Sequence, residues 1–220
     1  MRCELFGDVR DFCAVAEGFL AENEAENTVL LGAALGSQRK PKRNAVMAVV
    51  RARGAVRLAA IMVPPYPLAL SAGDPEAIPH LVASLRRVGT RPPGVSGPEP
   101  MADRFAALWR DDRRAAEPDI RMILYRANRM TPPGSVPGEL RTAAASDLDE
   151  LAAWQRRFAE QAGLSAADQA ADTRAIVAAR IARGEMHVWT VEGRSAARAT
   201  PQPASPPSAS SSWIEAGAIA

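Results

Sequence analysis

Lysine is nearly missing from this chain: of 27 basic residues only Lys40 and Lys42 are lysines. With the abundance of alanine, that bias points to a GC-rich bacterial gene and carries no chemistry. Cysteine is as scarce. Cys3 and Cys13 are too few for a secreted disulfide scaffold or a structural zinc site, so both read as reduced thiols of a cytoplasmic protein. The two histidines, His80 and His187, have no Cys or carboxylate at ligand spacing. Each reads as an ordinary helix or strand residue, and no metal is expected. A formal net charge of +2 supplies no basic face for nucleic acid or an anionic membrane. Long apolar runs are absent too. The longest, Leu58 to Val63, ends at Pro64-Pro65, far short of the roughly 20 residues that span a bilayer. Glu4 and Asp8 interrupt the N-terminus before a signal-peptide core can form.

What remains is a globular composition, 47% hydrophobic and 24% charged over 220 residues, enough for one large domain or two small ones. Asp8 caps a predicted helix whose stripe is Val9, Phe12, Cys13, Ala16, Phe19 and Leu20. A second helix starts near Asn27, carries Leu30, Leu31, Ala34 and Leu35, and is expected to stop at Gly36. The basic run Gln38 to Arg43 follows as a solvated loop without aromatics to stack bases. Ala45–Arg51 and Ala55–Val63 form a predicted hairpin turned at Arg53-Gly54. Its second strand is apolar enough to be central and covered on both faces. Pro64, Pro65 and Pro67 then force an extended turn. Asp74-Pro75 opens a helix through Ile78, Leu81, Val82 and Leu85 that closes at Gly89. A short strand at Gly94–Gly97 precedes a helix with Met101, Phe105, Leu108 and Trp109, and Ile120–Ala127 alternates as a strand.

Thr131–Gly138, with three prolines and two glycines, is a linker by composition. Beyond it Glu139–Ala143 reads as a strand, and Ser146-Asp147-Leu148-Asp149 resembles a capping box. The helix it starts is expected to bury Leu148, Leu151, Ala152, Trp154 and Phe158. Another helix runs from about Ala167 to Arg183 with Ile176, Val177, Arg180 and Ile181, ends at Gly184, and leads to a strand at His187–Val191. Ser195–Ser212 has no apolar period, so 193–220 is expected to be a disordered tail. That would leave His187–Val191 as an unpaired strand edge open to self-association.

The strand, helix, helix, strand order from Glu139 to Val191 resembles the opening half of a GNAT-superfamily N-acetyltransferase. The residues that carry it are Leu140-Arg141-Thr142-Ala143, Asp147, Leu151, Trp154, Phe158 and Val188-Trp189-Thr190. Upstream, Phe19-Leu20, Arg53-Gly54, Leu58-Ala59-Ala60 with Pro64-Pro65, Gly94 to Pro98 with Phe105 and Trp109, and Tyr125-Arg126 resemble the N-terminal half of two-part bacterial members. The resemblance spans about residues 5–192. It implies a mixed α/β (α+β) fold, sheets flanked by helices: a degenerate half at 1–130, the linker at 131–138 and an incomplete second half at 139–192. It also implies acetyl-CoA as co-substrate, with a small-molecule or peptide amine attacking the thioester directly and no metal.

Members hold the cofactor diphosphate on main-chain amides of an Arg/Gln-x-x-Gly-x-Gly/Ala turn at a helix N-terminus. After the last predicted strand this chain has only isolated glycines, Gly193 and Gly217. The family's general base and tyrosine acid also come from the portion not represented. No catalytic residue, cofactor-binding residue or metal ligand is therefore carried over, and acetyl transfer is expected to be weak or absent. The alternative is a non-catalytic ligand-binding or partner-binding module. The change of text near Gly193 reads as a frame shift or truncation of the gene. Asp147 and Asp149 read as helix-start charges, Glu22, Glu24 and Glu26 as a solvated junction, and Trp109, Trp154 and Trp189 as packing residues. Tyr66, in its proline turn, is the residue best placed to face a cleft.

Overall fold

The computed structural model describes residues 1–39, 44–110, 121–125, 129, 131, 134–162 and 172–199. The chain divides into two compact units, Met1–Asn128 and Arg129–Ala220. It is a mixed α/β protein with six α-helices and two sheets among the described residues.

The first unit runs β1 (Arg2–Phe6), α1 (Val9–Glu22), α2 (Thr28–Arg39), β2 (Val46–Ala52), β3 (Ala55–Met62) and β4 (Leu68–Leu70). A 3-10 turn (Pro75–Ala77) then enters α3 (Ile78–Arg87), followed by β5 (Val95–Ser96) and α4 (Glu99–Trp109). The sheet order is β1-β2-β3-β4-β5. Neighbours are antiparallel except β4 and β5, which the α3 crossover makes parallel.

Ala52 pairs with Ala55, so Arg53-Gly54 is a two-residue turn, with φ of 51° and 84°. Left-handed backbone at both positions matches the twist of the flanking strands, and glycine adopts it without steric cost. β3 is the central strand, as its composition predicts. Leu58, Ala60 and Met62 pack with Ile78, Leu81, Leu85, Met101 and Phe105 of α3 and α4. Ala59 and Ile61 pack on the opposite face with Phe12, Ala16, Leu20 and Leu30 of α1 and α2. Helices therefore close both faces of this sheet.

Several expectations are corrected here. α2 continues through Gly36 to Arg39, because glycine weakens a helix without ending it when no left-handed residue follows. Lys40–Arg43 lie outside the described residues. β1 and β4 carry no strong signal of their own and form as neighbours of β2 and β3. Arg121–Tyr125 is not a strand, and Met122 to Tyr125 are 56–79% exposed. Alternation alone makes no ladder without an edge to pair with. Ile120 and 126–127 lie outside the described residues. Leu108 is also exposed.

The second unit runs β6 (Glu139–Thr142), a 3-10 turn (Ala145–Asp147), α5 (Leu148–Gln161), α6 (Thr173–Ala182), β7 (His187–Val191) and β8 (Arg194–Ala199). The order is β6-β7-β8, antiparallel throughout. A small core of Ala143, Leu151, Val177, Met186 and Val188 lies between the sheet and its two helices. β8 overturns the expectation of a structureless segment from Gly193. Glu192 and Gly193, at φ 50° and 76°, make a two-residue turn like that of the first hairpin, and Arg194 pairs with Val191. Backbone pairing does not require an apolar period. Residues 200–220 lie outside the described set. β7 is therefore the middle strand, flanked on both sides, and is not an open edge.

The start of α5 differs in detail. Ser146 is not the cap; the Asp147 carboxylate reaches back to accept the Ala144 N–H at 2.7 Å. Phe158 is 40% exposed and Ile176 lies outside the core. On α6, Val177 takes the inward position. Residues 163–171, which include the expected start of that helix, are outside the described set.

Candidate functional site

A strand-to-helix turn beside a parallel strand pair is the position at which an open α/β sheet offers amides to a ligand. Here that turn is Ser71–Ala77, between β4 and α3. The N–H groups of Ser71, Ala72, Asp74, Glu76 and Ala77 are spent internally. Ser71 N–H goes to Ala59 O at 2.9 Å, and its buried hydroxyl accepts Ala59 N–H at 3.0 Å. The Asn27 side chain accepts Ala72 N–H at 2.9 Å while donating to Leu20 O at 3.0 Å, so one buried amide ties the turn to the end of α1. Asp74 N–H goes to Arg57 O at 2.9 Å. Pro75 has no N–H. The Asp74 carboxylate takes Glu76 N–H at 2.9 Å, and Asp74 O takes Ala77 N–H at 2.9 Å. Gly73 lies so close to β3 that a Cβ would fall 2.2 Å from Arg57 O. On the other side of the pair, Gly97, at φ 149°, would place a Cβ 2.7 Å from Leu70 O. The turn is thus a packed joint with an acid at its centre.

The same device recurs. Asp8 accepts Arg10 N–H at 2.6 Å and Asp172 accepts Ala175 N–H at 3.0 Å. α4 begins Pro98-Glu99-Pro100, with Glu99 bonded to Arg121 at 2.6 Å. Each of these helix dipoles is complemented by the chain's own carboxylate, which opposes an external anion there.

The most developed polar cluster is in the second unit. Arg141 on β6 forks both guanidinium nitrogens onto Asp147, at 2.7 and 2.8 Å. That contact first, and the Ala144 N–H after it, hold the buried Asp147 carboxyl below the usual carboxylate range. The pair pins the strand to the start of α5. Nearby, Ser195 on β8 donates to Glu150 at 2.8 Å, and Arg174 pairs with Asp149. The cluster positions backbone: its side-chain pairs tie β6 to the start of α5, α6 to α5 and β8 to α5.

The chain matches no protein-family model, no curated protein and no solved structure.

The other residues marked in the sequence lie apart. Burial pushes both thiols up, with Ser84 bonded to Cys3 and Gln38 to Cys13 working against it, so neither is a poised nucleophile. His80 is exposed on α3, and His187 is half-buried on β7. Among the described residues no three His, Cys, Asp or Glu side chains group to hold a metal. No described helix is long and apolar enough to cross a membrane. Trp109 stacks on Phe105 at 5.2 Å with Arg86 above it at 5.4 Å, sealing α4 to α3. Trp154 packs against the small core. The Trp189 N–H donates to Pro137 O at 3.1 Å. Tyr66 is 39% exposed after a cis Pro64–Pro65 peptide, its N–H bonded to Val63 O at 3.1 Å. Glu22 and Glu26 are exposed.

Sequence reasoning missed the Asn27 clasp and the Arg141–Asp147 fork. An asparagine just before a helix was a visible signal for the first. For the second, an arginine on a strand six residues before a capping aspartate was available.

Proposed function

We propose that this chain belongs to the GNAT N-acetyltransferase lineage as a two-part protein whose described portion is a scaffold with weak or absent acetyl transfer. The observation that carries the reading is the repeat of one order of elements. Strand, two helices, then two antiparallel strands occur as β1-α1-α2-β2-β3 and again as β6-α5-α6-β7-β8. The first four elements of the second unit follow the strand, helix, helix, strand order on which the resemblance rests; β8 extends it. The amine acceptor and acetyl-CoA follow from the lineage alone. The Asp74 cap and Pro75 support inactivity, since they remove the donors that would receive a diphosphate at the β4–α3 turn.

Isothermal titration with acetyl-CoA tests the reading. The native chain should give no micromolar binding, and micromolar binding would overturn the proposed inactivity. The double variant Asp74→Gly, Pro75→Ala reopens two amides. It should bind inorganic pyrophosphate more tightly by roughly fivefold, the about 1 kcal/mol that a helix N-terminus gives an anion. An unchanged affinity would count against an ancestral diphosphate site at this turn.

The second reading, a non-catalytic partner-binding module, is favoured by one observation. The second sheet carries an exposed Leu140 beside Trp189 on the side away from its helices.

A further inference from the structure

We draw no further inference here: the strongest candidate, the bare face of the β6-β7-β8 sheet around the cross-strand pair Leu140 and Trp189, is an unpartnered surface, and nothing in the structure shows what covers it.

Discussion

Both units place three antiparallel strands under a pair of helices, yet their interiors are unequal. The sheet of the first unit is buried on two faces, with Leu58, Leu81, Leu85 and Phe105 on one side and Phe12, Leu20 and Ile61 on the other. The sheet of the second rests on five buried residues on one side. Among the described residues, only the first unit follows its strand–helix–helix–strand–strand stretch with a helix pair, and that pair separates the two. A hairpin and two helices suffice to form a sheet, and a further layer is needed to bury it.

Core truncation gives the widest separation between the units. Leu58→Ala should cost about 2–5 kcal/mol, a cavity in a site closed on both sides. Leu140→Ala, on the bare face, should cost less than about 0.5 kcal/mol in monomeric protein. Urea denaturation of both variants checks the contrast, and equal losses would break it. Next in size is the β4–α3 joint. Gly73→Ala should destabilise by about 1–3 kcal/mol, since its Cβ meets backbone. Gly18→Ala, where a Cβ meets nothing within 4 Å on α1, should instead stabilise by up to about 1 kcal/mol.

A smaller effect belongs to the second unit. Asp147→Asn should cost about 1 kcal/mol, as loss of a capping carboxylate does. The sign of its pH dependence follows from the direction of its shift. A carboxyl held lower in the folded than the unfolded state adds stability above the ordinary aspartate value, about 3.9, that is lost as pH falls through the lower folded value. Acid melts of the native chain should show this limb, and Asp147→Asn should flatten it. The smallest expected change is chemical. With thiols raised by burial, Cys3 and Cys13 should alkylate more slowly than a free thiol at pH 7. Iodoacetamide labelling should recover the free rate only in denaturant.

Local chemistry was readable from residues close in sequence. Arg53-Gly54, Asp8, Asp74-Pro75 and the Leu58–Met62 run each specify their own geometry, and each sits where the pattern indicates. The errors lie where a neighbour decides. Leu68–Leu70 and Arg194–Ala199 become strands because an adjacent strand offers its edge, whereas Arg121–Tyr125 pairs with no strand among the described residues. The candidate sites were legible only in part. Asp74 and Asp147 are short-range caps. The Asn27 bond to Ala72 spans 45 residues and the Ser195 bond to Glu150 another 45, distances over which no periodicity in one sequence carries information.

The parallel β4–β5 pair has a consequence for the order of assembly. β2 and β3 meet across two residues, but Leu68 reaches Val95 only after the whole α3 crossover has been traversed. Closing the longer loop carries the greater entropy loss, so the early hairpin should gain its second roof last. A nascent first unit stalled at that step would expose the face of β3 bearing Leu58, Ala60 and Met62, which α3 and α4 cover at the end.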